Sequence, residues 1–383
     1  MKRFLEYGIL MILAAILVMR FYNYTKADEP KEDDPIVDVL PGEDEQPGED
    51  SLIEVYAEDM VIEHIIGVSL NNIAHNVVVT ENGQYYQGSD IEFISSSPDV
   101  ANVDEANVNV VGEGTSTITV NYKGLPIKTF EVKVVNYHPI FTIEDFKAIG
   151  TNSNTMSYKY KLMNDIDFRG ATVNSLSSYG SRNTLAFTGV FDGQGYTFSN
   201  MVLAKSLVPD SAADASLFGY INAKDAVIKN LNVSGAKLGS RGGVIATWVD
   251  NGTIENCFVD VEITGTADAI QYYNIGGIAW RAQAASNIKN CIVAVTIADG
   301  VDTTRVGAIV GMNLTNITNC QAIVLSENEL SVYRDEHEIV KGSLTDSAVY
   351  TSVESFYANI DITKYSDIWV FDPNAQLLPF VGA

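Results

Sequence analysis

Three cysteines are the residues whose type and spacing suggest chemistry most directly. Each ends a phrase Ile-x-Asn-Cys, at residues 254–257, 288–291 and 317–320. Thiolates at regular intervals can bind zinc or exchange disulfides, so the phrase is a candidate metal or redox motif. A fourth copy, at 228–231, has leucine in place of cysteine. Because an apolar residue replaces the thiol there, we interpret the cysteines as a small buried column, with neither a disulfide framework nor a CxxC metal pattern.

The asparagine of each phrase marks a break in the strand pattern. After Asn256 the chain alternates cleanly, with Cys257 and Val259 on one side and polar residues between them. Extending this alternation backwards would turn Ile254 outward and Glu255 inward, so the phase breaks at the asparagine. Asparagine tolerates the left-handed region and bonds its own backbone, which suits a bend. Stacked phrases predict an internal amide ladder, and the residues of this structural repeat are Asn230, Asn256, Asn290, Asn319, Cys257, Cys291 and Cys320.

Carboxylates and histidines could support acid–base chemistry. Asp165 and Asp167 lie two residues apart on a predicted strand and would share a face. A glycan-cleaving enzyme needs two carboxylates that converge on one groove. The four histidines are scattered, and no pair has HExxH spacing. We therefore predict no catalytic, cofactor-binding or metal-binding residue, and no cofactor.

Aromatic residues in or beside the repeats offer a third possibility. Trp248, Tyr272, Tyr273 and Trp280 carry large amphipathic rings, and we name them as candidate ligand contacts that would stack on sugar rings. The alternative is that these rings pack within the protein, as aromatic side chains more often do.

Composition limits the class of partner. The chain has 383 residues and is 46% hydrophobic, enough to fill the cores of two or three domains. Its formal net charge is −25, so it has no basic surface to displace counterions from nucleic acid. The same charge argues against binding to an anionic membrane surface.

The N-terminal region predicts export. Residues 1–26 begin with Lys2 and Arg3 and continue into an apolar run, which is typical of a signal peptide or an N-terminal membrane anchor. Residues 27–50 are rich in acidic residues and proline, and we predict a disordered linker there. The rest of the chain is expected outside the cell or at its surface, exported through the N-terminal signal or anchored by it.

Residues 51–136 have the pattern of a small antiparallel β-sandwich. Short β-rich runs at 77–80, 91–94, 109–111, 116–122 and 129–134 are separated by turn residues. Within this region, the stretches 95–104 and 110–120 resemble the bacterial immunoglobulin-like group 2 domain. That resemblance implies a stalk module and no catalytic residue.

Residues 137–345 carry the repeats. The region opens with a predicted capping helix at 143–149 and a strand at 160–168, followed by Phe-Thr-Gly-x-Phe-Asp-Gly-x-Gly-Tyr at 187–196. Glycine-led strands then alternate with the Ile-x-Asn-Cys phrases at intervals of roughly 30 residues, the mark of a solenoid. The glycines are expected at coil corners, where positive φ or close backbone approach is needed.

This order of elements resembles bacterial surface proteins that carry the GLUG motif. The resemblance implies a parallel β-helix (β-solenoid) and makes Asp165 and Asp167 part of a recurrent structural strand. Residues 346–383 are expected to add a C-terminal strand and cap. The predicted fold is all-β throughout: an apolar export segment, an Ig-like sandwich, and a solenoid with a short N-terminal capping helix.

The function predicted from these features is non-enzymatic. An exported cell-surface or secreted protein would use its Ig-like stalk to present the β-solenoid for adhesion or for binding carbohydrate or protein. The alternative is a polysaccharide-degrading β-helix enzyme, a lyase or a hydrolase. We expect a polysaccharide, cell-wall or host-surface ligand, no nucleic acid, membrane contact only through the N-terminal segment, and a monomeric chain.

Overall fold

A computed structural model describes most of the chain beyond the linker. The described residues are 52–66, 75–86, 89–104, 107–177, 185–203, 215–265, 274–313, 315–333, 344–365, 367–375 and 377–382. The predicted export segment 1–26, the linker 27–50, Tyr272 and Tyr273 lie outside them. No helix within the described ranges is both long and apolar enough to cross a membrane.

The chain divides into two compact units, one formed largely by residues up to Val132 and one from Lys133 onwards, with 61–71 and 112–114 belonging to the second. Antiparallel pairs connect β1 to β4, β4 to β5, β6 to β9, and β8 to both β3 and β7. The strands up to the boundary are β1 (Ile53–Tyr56), β2 (Met60–Ile65), β3 (His75–Asn76), β4 (Val78–Glu81), β5 (Gln84–Tyr85), β6 (Ile91–Ser95), β7 (Ala101–Asp104), β8 (Asn107–Val110), β9 (Gly114–Tyr122) and β10 (Leu125–Ile140).

The second unit contains two short α-helices, α1 (Ile143–Ala148) and α2 (Val353–Asn359), and many short strands. Its strands are β11 (Lys159–Leu162), β12 (Ile166–Asp167), β13 (Thr172–Val173), β14 (Val190–Asp192), β15 (Thr197–Ser199), β16 (Val202–Leu203), β17 (Tyr220–Lys229), β18 (Asn232–Leu238), β19 (Gly242–Gly243), β20 (Ala246–Glu255), β21 (Phe258–Ile263), β22 (Ile275–Gly276), β23 (Ala279–Lys289), β24 (Ile292–Ile297), β25 (Val306–Asn313), β26 (Asn316–Thr318), β27 (Gln321–Val324), β28 (Ser331–Tyr333), β29 (Leu344–Thr345), β30 (Ala348–Tyr350), β31 (Trp369–Val370) and β32 (Phe380–Val381).

The second unit is built from two parallel sheets that the chain visits in turn. Sheet A contains β11, β14, β17, β20, β23, β26 and β29 in spatial order. Sheet B contains β12, β15, β18, β21, β24, β27 and β30. One visit to each sheet is called a coil here. Neighbouring coils pair in parallel, and on each side of the register shift between Val249 and Asn251 in the β20–β23 pair equivalent residues form columns. The fold is therefore all-β with parallel sheets, as the sequence predicts.

The core lies between the two sheets and consists of columns of similar apolar residues. Ile228, Ile254, Ile288 and Ile317 are register partners in sheet A, and all are fully buried. Val259 and Val293 face them from sheet B. Alternation along each strand sends one set of side chains inward, and register then places that set above its copy in the next coil.

The predicted glycine-led strands are present, but positive φ does not explain their glycines. Gly243 and Gly277 lie outside the left-handed region. A Cβ on Gly243 would collide with the backbone of Ala279, and one on Gly277 with the carbonyl of Ala308. Close approach of neighbouring coils is the reason for glycine at these positions.

An amphipathic helix closes the N-terminal end of the core. Thr142 and Asp145 form a capping box at the start of α1, and Phe146 packs edge-on against Phe198 with ring centroids 5.2 Å apart. The predicted helix at 143–149 is correct apart from its last residue. The predicted strand at 160–168 is wrong as a single element, because the chain bends between β11 and β12 to pass from sheet A to sheet B.

The C-terminal segment, residues 351–382, is called the strap. It contributes α2 and the antiparallel pair β31–β32, and it packs on the outer side of sheet B rather than only on its end. The sequence predicts a C-terminal strand and cap within residues 346–383, but it does not predict α2.

Candidate functional site

The asparagines of the repeated phrase sit where the chain leaves sheet A for sheet B. Their φ angles are 55° for Asn230, 52° for Asn256, 53° for Asn290 and 52° for Asn319. These values lie in the left-handed region, which asparagine tolerates better than most residues. The bend inferred from the broken alternation is therefore present at each copy.

The side chains of these asparagines form a ladder that runs along the coils. Nδ2 of Asn256 donates to Oδ1 of Asn230 at 3.1 Å, and Asn290 and Asn319 repeat the bond at 3.2 and 3.3 Å. The first amide, that of Asn230, donates to Oδ1 of Asp192 at 3.0 Å. The ladder is half-buried at the bend rather than internal, because the left-handed residue lies at the edge of the core.

The three cysteines are fully buried free thiols. Each Sγ donates to the carbonyl two residues earlier in its own phrase, at 3.2 Å for Cys257, 3.3 Å for Cys291 and 3.4 Å for Cys320. Burial raises the pKa of the Cys257 and Cys291 thiols well above its usual range, so these groups stay protonated at neutral pH. The column fills the core and supports the bend.

A further copy of the phrase escaped the sequence comparison. Residues 344–347 read Leu-Thr-Asp-Ser, and Asp346 has a φ of 49°. Oγ of Ser347 donates to the carbonyl of Thr345 at 3.0 Å, the same contact that each thiol makes. The three defined positions of this copy hold Leu344, Asp346 and Ser347, which are residues of similar shape or bonding capacity, so the copy does not match Ile-x-Asn-Cys.

Asp165 and Asp167 are both exposed on one side of the chain, as expected for residues two apart. Oδ1 of Asp165 accepts the Thr197 amide at 2.8 Å, and Oδ1 of Asp167 accepts Nδ2 of Asn200 at 2.9 Å. The bond from Asn200, followed by that from the Arg169 amide, lowers the pKa of Asp167. Both carboxylates bridge to the next coil, an arrangement that stabilises the stack.

Trp248 and Trp280 are each only 8% exposed and pack edge-to-face at 5.3 Å. The guanidinium of Arg281 lies 4.3 Å from the ring centroid of Trp248, and that of Arg241 lies 4.6 Å from that of Trp280. A sugar would have to displace a guanidinium to stack on either indole. In this structure the two indoles are packing residues with cation–π contacts, and their role as ligand contacts stays a prediction.

Among the described residues, no group of three or more His, Cys, Asp or Glu side chains is placed to hold a metal ion. His138 stacks on Tyr158 at 4.4 Å, and burial lowers its pKa. His64 Nδ1 lies 2.8 Å from Oδ1 of Asn136.

The outer face of sheet A carries an alternating column of charges. Asp192, Lys229, Glu255 and Lys289 are successive register partners. Lys229 Nζ lies 3.4 Å from the Asp192 carboxylate, and Lys289 Nζ lies 2.8 Å from that of Glu255. We call this set the charge column. Because its charges alternate, it gives sheet A a polar face without a strong field of one sign.

Beside the charge column runs a second outward column, formed by Thr253, Asn287 and Asn316 in register. Asn287 and Asn316 are exposed, and Thr253 is partly so. Hydroxyl and amide groups are both donors and acceptors. Together the two columns form a regular polar face on which groups recur once per coil.

No family model matches the chain. Over an aligned stretch of 139 residues, covering 33% of this chain, the sequence is 30% identical to halomucin from Haloquadratum walsbyi (strain DSM 16790 / HBSQ001). The chain spans 1% of the length of that relative. The similarity is local, so the function has to be argued from the geometry.

Proposed function

We propose that the second unit is a parallel β-solenoid that acts as a rigid, non-enzymatic binding rod on an exported protein, at the cell surface or secreted. The first unit would serve as its Ig-like stalk. The observation that supports this most is the straight register of outward columns over successive coils of sheet A. Solenoids present extended surfaces of this kind to their partners.

The proposed binding surface is the outer face of sheet A, and its proposed ligand is a polysaccharide of the cell wall or of a host surface. Regularly spaced amide, hydroxyl and paired charged groups are complementary to a polymer with repeating hydroxyl groups. The described face is polar, and arginine guanidinium groups lie over the rings of Trp248 and Trp280. Recognition would therefore rely on hydrogen bonds rather than on stacking.

The test uses the full chain on arrays of wall glycans, host glycans and matrix proteins. A double substitution of Asn287→Ala and Asn316→Ala is expected to weaken glycan binding at least tenfold, because each loses an exposed amide. The matched control is Lys237→Ala with Glu262→Ala, a register pair on the outer face of sheet B. Equal loss in both variants, or no binding to any array, would remove support for this face.

The enzymatic alternative is tested in the same preparation by measuring reducing-end release from pectin, glycosaminoglycan and wall glycans. Our proposal predicts no release. Release that disappears in Asp165→Asn would favour a polysaccharide-degrading enzyme instead.

A further inference from the structure

The outer face of sheet B contains a column of buried residues, although outward residues of a strand are usually exposed. Outward residues of a half-buried strand are usually polar and solvated. Here Asn232, Phe258, Ile292 and Gln321 are register partners, and all four are buried. Two apolar side chains are thus flanked by an amide at each end. We call this column the amide-flanked groove.

The strap fills the amide-flanked groove. Trp369, Val381 and Phe356 of the strap join Phe258 and Ile292 in one apolar cluster, separate from the core between the sheets. The occupant supplies aromatic and aliphatic side chains from a helix and a short hairpin. The groove thus already accommodates a peptide segment of defined chemistry.

The side chain of Asn232 binds the backbone of the strap. Its Oδ1 accepts the Val381 amide at 2.8 Å, and its Nδ2 donates to the Val381 carbonyl at 3.2 Å. This pair of bonds imitates a neighbouring strand and requires only that the bound segment be extended. A groove that binds backbone in this way recognises a strand wherever that strand originates.

The contact between the strap and sheet B contains buried polar atoms without a hydrogen-bond partner among the described residues. Gln321 is 4% exposed and Trp369 is 3% exposed, yet Oε1 of Gln321 and Nε1 of Trp369 bond to no described residue. A buried polar group without a partner disfavours the closed state, because water satisfies the same group when the contact opens. The strap is therefore suited to local opening while the coils remain paired.

The strap is joined to the coils by a short connection. Strand β30 ends at Tyr350 and α2 begins at Val353. When one copy releases its strap and binds the strap of another copy, the exchanged strap makes the same contacts in the groove. Exchange therefore loses few contacts. The short connection keeps a chain's own strap at high effective concentration, so exchange requires a concentrated protein.

We propose that the amide-flanked groove is a binding site for a strap segment, and that the strap of a second copy of the chain can occupy it in place of the chain's own. Two copies would then associate by exchanging identical segments. This inference is independent of what sheet A binds.

A labelled synthetic peptide of residues 351–383, added to the full chain, tests the site. We expect saturable binding by fluorescence anisotropy and at least tenfold weaker binding when the peptide carries Trp369→Ala. A peptide with Val370→Ala is the matched control, because Val370 is on the same strand but 43% exposed, and it should bind like the unmodified peptide.

The same substitution in the protein should act in the opposite direction. A full chain with Trp369→Ala closes its own strap less firmly, so it should bind the unmodified peptide at least tenfold more tightly than the unsubstituted chain. Hydrogen exchange of the coils reports that the variant still folds. Failure of the folded variant to bind the peptide, or equal binding of both peptides, would overturn the proposal.

Discussion

The two faces of sheet B are built in different ways. The inner face is a set of columns in which the same or a similar apolar side chain recurs from coil to coil, as Val259 and Val293 do. The outer face is covered by a strap that occurs once and leaves buried polar atoms of Gln321 and Trp369 without a described partner. Inner positions are matched by similar apolar residues in the next coil, whereas the strap has to fit four different residues at once.

The column of asparagines at the bend shows why a repeated structure readily gives its polar groups hydrogen-bond partners. An asparagine side chain has both a donor and an acceptor, so a stack of identical amides bonds along its whole length. Only the ends need a different partner, and at one end Asp192 supplies an acceptor. A repeating structure therefore needs few special solutions, while a single-copy contact needs one for each polar atom.

The largest expected effect comes from breaking the repeated core. Ile288→Ala removes a fully buried side chain from the column of isoleucines, and it should lower the free energy of unfolding by about 2–5 kcal/mol. Chemical denaturation followed by circular dichroism measures this. Asn287→Ala, on the adjacent exposed position, is the control and should change the value by less than about 0.5 kcal/mol.

Two substitutions of an asparagine at the bend separate the contribution of backbone conformation from that of the side-chain hydrogen bonds. Asn256→Ala places an unfavourable residue at positive φ and removes two ladder bonds, for an expected loss of about 2 kcal/mol. Asn256→Gly keeps the conformation accessible and should lose only about 1 kcal/mol. Equal losses in the two variants would contradict the assigned bend.

The thiol column predicts sensitivity to alkali. The folded-state pKa values of Cys257 and Cys291 are raised by burial, while an unfolded thiol ionises near pH 8.5. The stabilisation from each protonated thiol is therefore complete below that pH and is lost as pH rises above it, by about 1 kcal/mol per thiol between pH 8 and 9.5.

Unfolding titrations at the two pH values measure this loss, and Cys291→Ser should reduce it by one thiol's share. Buried Tyr137 and Tyr160 also have raised pKa values, but an unfolded tyrosine ionises only near pH 10. A stability that stays constant to pH 9.5 would show that the thiols are not protonated by burial.

The smallest expected effect concerns the exposed bridge between coils. NMR titration should give Asp167 a pKa below that of an ordinary aspartate, because Asn200 donates to its charged form. Asn200→Ala should raise that pKa towards the ordinary value. An unchanged pKa in the variant would mean that the amide does not bond to the carboxylate in solution.

The sequence predicts the coils of the second unit well because the same residue pattern recurs in each coil. The break at Asn256 follows from alternation, and four copies make the interpretation of the cysteines firm. The copy that ends in Asp346 and Ser347 cannot be recognised from the phrase, because all three of its defined positions differ while the geometry is kept.

The strap contact could not be predicted, because nothing in it repeats. Phe258 looks like an apolar residue on a solvated face, and its partners lie about a hundred residues away in a segment with no periodic signal. Similarly, Trp248 and Trp280 resemble a sugar platform until the arginines that cover them are seen. Sequence pattern identifies such residues but not what lies against them.

Successive coils stack in parallel register, and pulsed electron spin resonance tests this arrangement directly. Thr172, Val202, Lys237, Glu262 and Thr296 are successive register partners on the outer face of sheet B. Spin labels at positions 172 and 296 should be about 19 Å apart, and moving the second label to position 262 should shorten the distance by about 5 Å. A distance above about 30 Å, or no shortening on that move, would contradict the stacked arrangement.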